Sequence, residues 1–355
     1  MKKKTDKSVD DKTISLESVK VVDKNDPTFL RKRILDLTQE AGKLRQQLGA
    51  RDEFYSQVQA ALASAEPFPR KPIPVPAGKK KFVVPVLKLS DWHIGEVTSS
   101  SETEGFGKFN WQIAQDTIWH IASSIIKWVE AQRALYAIEE CVILGEGDWI
   151  SGDIHDELMA TNEFPVPVQT AKAGMLLGEV IAMISAHFKH VNVYAVGADN
   201  HGRLRKKPQA KQKSSNNYSY LVYEIADVYL KKHKNVTLIR PDAAKILVPV
   251  NGFKILSEHG DTVRGWSGHP YYGFDRRVGK EAVKRMNTDQ GFHTWSIGHF
   301  HVPGLMEAGR VMINGSLSGT SEFDHLNGRH AEPAQVAFLV HPKYGWFNFT
   351  AFGGK

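Results

Sequence analysis

Val196-Gly197-Ala198-Asp199-Asn200-His201-Gly202-Arg203 follows the alternating, β-branched run Val191-Asn192-Val193-Tyr194-Ala195. That run reads as the end of a strand, so the polar octet falls on the loop that follows it. Asn200 offers a neutral carbonyl oxygen to a cation, His201 can pass a proton, and Gly202 leaves room for a substrate. Six of the eleven positions 203–213 are Lys or Arg, which adds a phosphate-attracting run to the same loop.

Four other polar clusters repeat this placement. Residues 82–89 read as a strand running into Asp91-Trp92-His93, and 141–144 as a buried strand running into Gly145-Glu146-Gly147-Asp148. Strand 253–258 leads to His259, and strand 293–298 to His299-Phe300-His301. Ligand-binding loops gather at the carboxyl ends of strands in α/β sheets. With His201 set aside as an acid, the clusters supply two carboxylates, one amide and four imidazoles. This mixed nitrogen and oxygen set suits two borderline divalent ions, Mn²⁺ first, with Zn²⁺, Fe²⁺, Ni²⁺ or Mg²⁺ as alternatives. Two such ions roughly 3.5–4 Å apart can clamp a phosphate and generate hydroxide near neutral pH.

In order, the clusters are D-W-H, G-E-G-D-W, G-A-D-N-H-G-R, E-H-G-D and G-H-F-H. This series resembles the five motifs of the calcineurin-like metallophosphoesterases, over about residues 82–350, and is similar to the repair-nuclease and bacteriophage-encoded members. The resemblance implies that Asp91, His93 and His301 hold one metal, Asn200, His259 and His299 the other, and that Asp148 bridges them. It implies His201 as general acid and in-line attack on phosphorus by a bridging hydroxide, with Asp148 part of the catalytic machinery.

The third motif departs from the pattern, which has glycine directly before the asparagine. Asp199 stands there, and either the loop is longer or Asp199 orients His201. Asp153 and His155, after the second motif, are candidates to fix ligand tautomers, beside the plainer roles of helix capping and loop solvation. Arg203, Arg205, Lys206 and Lys207 are the candidate substrate contacts, with a solvated loop as the plainer reading. Trp92 and Trp149 either wall the site and stack a base or simply pack.

The remaining chain frames this core. Residues 1–80 hold 17 Lys+Arg against 11 Asp+Glu, so they carry +6 of the formal +7. That suits either a nucleic-acid partner, DNA in the first place, or a solubilising tail. Residues 1–26 lack any period and read as a disordered basic tail. From Leu30 to Leu62 apolar residues recur in steps of four and three, broken only at Arg51, which predicts a helical arm over 27–65. Its seam, residues 30–62, suits a coiled-coil homodimer or a helix laid on its own domain. Asp26 and Pro27 suit the start of that helix. The prolines of 66–80 make a stiff linker, and 81–355 form the catalytic domain. There strand-helix alternation gives way to a strand-rich second half, which predicts an α/β fold, a two-sheet sandwich flanked by helices.

The single cysteine, Cys141, excludes a disulfide framework and a zinc-thiolate site. No apolar run approaches the ~20 residues needed to span a bilayer, and no secretory signal is expected. The expected location is cytoplasmic, a host cytoplasm if the chain is phage-encoded. The expected function is a metal-dependent phosphodiesterase on nucleic acid, a DNA nuclease first, with exonuclease and endonuclease action both open. The alternatives are a phosphomonoesterase or small-molecule phosphodiesterase, and a non-catalytic nucleic-acid-binding protein.

Overall fold

The computed structural model describes residues 26–64, 80–264 and 270–353. The chain divides into two compact units, Met1–Ala77 and Gly78–Lys355. The expected tail (1–26) and Pro-rich linker (66–80) fall almost wholly outside the described residues.

In the first unit, helix α1 runs Pro27–Ser64. Its predicted cap is present, with the Asp26 carboxylate accepting the Thr28 N–H at 2.9 Å. Leu30, Ile34, Leu37, Leu44, Leu48, Tyr55 and Val58 are exposed along it. Spacing of three and four residues sets them along one side of the helix.

In the second unit, β1 (Val84–Leu89), β2 (Glu140–Gly145), β3 (His190–Ala195) and β4 (Val236–Ile239) run parallel. The strands β10 (Ala334–His341) and β11 (Gly345–Gly353) extend this sheet in antiparallel fashion, giving the order β11-β10-β1-β2-β3-β4. A second sheet has the order β5-β6-β7-β9-β8, built from Lys245–Val250, Phe253–Glu258, Thr294–Ile297, Val311–Ile313 and Gly304–Met306 respectively.

Alternation along each strand assigns its two faces. Val84 and Val86 of β1, Val142 and Leu144 of β2, and Val336, Phe338 and Val340 of β10 pack against Ile246, Val248 and Ile255 between the sheets. Leu87, Leu89, Cys141 and Ile143 face the other way, into a core shared with helices α2 (Trp111–Gln132), α4 (Val166–Ser185) and α5 (Tyr218–Leu230). Both faces are covered, which is why these strands read as nearly continuous apolar runs. Beyond the second sheet, Phe274 of α6 (Tyr271–Arg285) packs on Trp295 and Phe300. The architecture is the expected two-sheet α/β sandwich with helices outside.

Every expected strand lies within two residues of its predicted bounds. Strand β8 and helices α3 (Asp156–Thr161) and α7 (Glu322–Leu326) have no counterpart in the sequence pattern, because a three-residue strand and helices of under two turns complete too little of a period to register.

Among the described residues, an ion pair lies in the layer between the sheets. Lys88 and Glu146 are both fully buried, with Nζ 3.4 Å from Oε2. Lys88 Nζ also donates to the carbonyls of Ile297 (3.0 Å) and Met312 (2.6 Å), and the Ser257 hydroxyl donates to Glu146 at 2.9 Å. One polar cluster thus joins β1 and the loop after β2 to β6, β7 and β9. Burial pulls the Lys88 ammonium below its ordinary value, against the opposing charge of Glu146.

Candidate metal centre

Parallel register lines up the strand ends. Leu89 pairs with Gly145 and Gly145 with Ala195, so the loops bearing Asp91, Asp148 and Asn200 leave one edge of the first sheet side by side. In the second sheet Ser257 pairs with Ser296, which sets the loops of His259 and His299 together. Five candidate ligands have left-handed backbones: Asp91 (φ 56°), His93 (47°), Asp148 (50°), His299 (68°) and His301 (62°). Each costs roughly 1–2 kcal/mol relative to a right-handed backbone, and strain of this kind concentrates at functional sites. Gly298 serves the same end, since a Cβ there would stand 2.3 Å from the Asp91 carboxylate.

The seven expected ligands converge. Asp91, His93 and His301 form one group, with His93 Nε2 3.1 Å from His301 Nε2 and His301 Nε2 3.6 Å from Asp91 Oδ1. Asp148, His259 and His299 form another. His259 Nε2 lies 3.0 Å from Asp148 Oδ2 and 2.9 Å from the Asn200 side-chain oxygen. Asp148 also groups with His93 and His201, so it is common to both halves. The His201 N–H donates to Asp148 Oδ1 at 3.1 Å, and the His299 N–H to Asp91 Oδ1 at 2.8 Å.

These spacings fit cations. Two donors each ~2.1 Å from one ion, at roughly tetrahedral or octahedral angles, stand ~3.0–3.4 Å apart. Burial, with the charges of neighbouring imidazoles, holds His93 well below its ordinary value and brings His299 down to about 3, which keeps both in the neutral form that binds metal. Burial raises the Asp148 carboxyl, but the charges of His259, His201 and His93 outweigh it and hold the group well below the usual range. Burial likewise lowers His259, yet the Asp148 carboxylate drives it well above its usual value. The pair calls for positive charge, which a divalent ion supplies as well as a proton does. Burial brings Asp91 up to about 6, the imidazoles of His259 and His301 working against it.

Supporting contacts come from distant segments. His259 Nδ1 is 2.8 Å from the Glu146 carbonyl, which sets Nε2 toward Asp148. His301 Nδ1 lies 3.8 Å from Asp324 Oδ2 and His93 Nδ1 3.7 Å from Glu96 Oε2. Sequence reasoning missed Lys88, Glu96, Glu146 and Asp324 as parts of this site. Only Asp324 left a signal, the Ser321-x-x-Asp324 capping box that starts α7.

Asp199, the departure in the third motif, is fully buried, and its hydrogen bonds go to neighbouring loops and α5. Its carboxylate accepts the N–H groups of Gly202 (2.7 Å) and Asp148 (2.9 Å), and the Ser219 hydroxyl. It ties the loops after β2 and β3 to the start of α5. His201 instead makes its ring contact through Nδ1, 2.7 Å from the Ser151 carbonyl. His155 is exposed, with its ring centroid 6.2 Å from that of His201. Asp153 is exposed and hydrogen-bonds to none of the candidate ligands.

Arg203, Arg205, Lys207, Lys211 and Lys213, with Asp199 and Asp261, line a hollow of about 120 Å³ beside His201's loop. Arg203 spends its guanidinium on the carbonyls of Arg205 and Lys206, and Lys213 pairs with Asp261 at 2.8 Å. Lys206 pairs with Asp156. Arg205 and Lys207 are exposed to solvent. Trp92 and Trp149 are fully buried, edge to face at 4.9 Å in the helix-side core, so both are packing residues.

No protein-family model and no curated protein matches the chain. Among solved structures the chain is similar to Vps29 of Entamoeba histolytica, complexed with Zn²⁺, at 10% identity, 76% of this chain, 99% of that one and a TM-score of 0.30. A conserved predicted phosphoesterase of Streptococcus pneumoniae matches at 12% identity, 51% and 90% coverage and a TM-score of 0.26. A Thermotoga maritima protein solved in solution matches at 12% identity, 76% and 98% coverage and a TM-score of 0.26. Superposition this loose adds nothing to the side-chain geometry.

Proposed function

We propose that the second unit is a binuclear-metal phosphodiesterase of the calcineurin-like type, acting on nucleic acid, with DNA as the first substrate. The observation that carries this reading is the convergence of seven nitrogen and oxygen donors, Asp148 being shared between their groups, with His201 alongside. Asp91, His93 and His301 would hold one ion, Asn200, His259 and His299 the other, and Asp148 both. Divalent ions bound there, Mn²⁺ foremost, supply Lewis acidity toward phosphate oxygens and acidify water into a nucleophile.

The chain's own groups do the rest. The Nδ1–H of His201 donates to Ser151, which leaves Nε2 to carry a proton to the departing alkoxide or to steady charge on the phosphate. The His201 N–H on Asp148 fixes the distance between acid and ligand. Support for a polymer substrate comes from the basic hollow, where Arg205 and Lys207 are free to meet flanking phosphates.

The test supplies the purified protein and Mn²⁺ with labelled single- and double-stranded DNA, RNA, and a chromogenic phosphodiester beside its monoester. Polymer cleavage that His201→Ala abolishes is the expected outcome. Monoester turnover with intact DNA would instead identify a phosphomonoesterase. Salt-sensitive DNA binding without turnover under any metal would leave a binding protein.

A further inference from the structure

Two large rings stand in solvent on segments that no proposed ligand occupies. Phe106 is 59% exposed and Phe323 60%. Phe106 stacks on His325, with centroids 5.9 Å apart and planes 25° apart, and meets His330 edge-on at 5.8 Å. The Arg329 guanidinium lies 5.7 Å over the Phe323 ring. Four carboxylates lie near this face among the described residues: Glu104, 4.0 Å from His325, Glu332, 3.4 Å from His330, and Glu322 and Asp324 on either side of Phe323.

The face is held in place. The Glu322 carboxylate accepts the Ser99 N–H at 2.5 Å, joining α7 to the segment that carries Phe106. The Thr320 hydroxyl is 3.0 Å from His330 Nδ1. Asp324, between Phe323 and His325 in the chain, is 3.8 Å from His301, which ties α7 to the centre. His301 and His201 both pack against His93, with centroids 4.9 and 4.6 Å away; the segment after His201 lines the basic hollow.

We propose that Phe106, Phe323, His325 and Arg329 form a base-stacking platform for single-stranded nucleic acid. The proposal rests on the phosphodiesterase reading of the adjoining centre and names its substrate more narrowly. Exposed rings interleaved with a cation bind bases through their π-faces, and in a duplex both faces of each base are already covered. The backbone phosphates of the same strand would run to the hollow at 203–213. An apolar protein segment would gain nothing from that cationic hollow.

Fluorescence anisotropy tests this with a phosphorothioate oligothymidylate of about twelve nucleotides, an abasic strand of equal length and a duplex, all with Mn²⁺ present. The wild type is expected to bind the base-bearing strand about 10–100-fold more tightly than the abasic one. Phe106→Ala/Phe323→Ala should erase that ratio and Phe106→Trp/Phe323→Trp should keep it, with circular dichroism confirming the fold of each. Equal binding of abasic and base-bearing strands, equal binding of the duplex, or an unchanged ratio in the alanine variant would overturn the proposal. Turnover of the chromogenic diester by the wild type is read separately. Base-dependent binding without turnover supports the platform and removes the hydrolytic reading.

Discussion

Asp148 is the residue on which the two halves of the centre depend, since its carboxylate is shared between the group containing His93 and the group containing His259. Asp148→Ala is expected to reduce bound metal from about two ions per chain to fewer than about one and to abolish hydrolysis, as read by elemental analysis and the diester assay. His201→Ala separates chemistry from metal binding. It is expected to lower kcat by about 10²–10⁴-fold with metal content unchanged. Lost metal in that variant would make His201 a ligand rather than an acid. Asp91, His93, Asp148, Asn200, His259, His299 and His301 were legible in the sequence because each lies on the loop that leaves the end of a strand. Asp324 was not, because its capping box with Ser321 marks the start of a five-residue helix and nothing about its neighbours in space.

At the scale of elements, the joint between the sheets is the feature with a measurable consequence. Lys88 bonds to carbonyls more than 200 positions away in the chain, so no local pattern announces it. Lys88→Met leaves Glu146 charged and buried, and is expected to cost about 3–5 kcal/mol in urea unfolding. Lys88→Met/Glu146→Gln should recover most of that loss, because the double variant buries no uncompensated charge. A single variant as stable as the wild type would show that the pair does not hold the sheets. Helix α1 carries the other element-scale expectation. If its seam pairs two copies, sedimentation equilibrium will give a dimer, and Leu37→Lys/Leu44→Lys will give a monomer. A wild-type monomer would remove the homodimer reading.

For the whole molecule, the metals and the fold should stabilise each other. Ions that bind only the folded chain raise stability by about 4 kcal/mol at a thousandfold excess over Kd. Chelation is therefore expected to lower Tm by several degrees, and added Mn²⁺ to restore it, by differential scanning calorimetry. A Tm indifferent to both treatments would count against an ion in this centre. None of the described helices is long and apolar enough to cross a membrane.

The sequence by itself determined every strand but β8, the order of the five polar clusters and the strand ends they follow, because period and turn chemistry are local properties. Only the tertiary structure decided that Asp199 braces the backbone of neighbouring loops, and that Trp92 and Trp149 lie in the core while Phe106 and Phe323 face solvent. Those outcomes follow from parallel register and sheet-on-sheet packing, which bring together residues that no window of the chain contains.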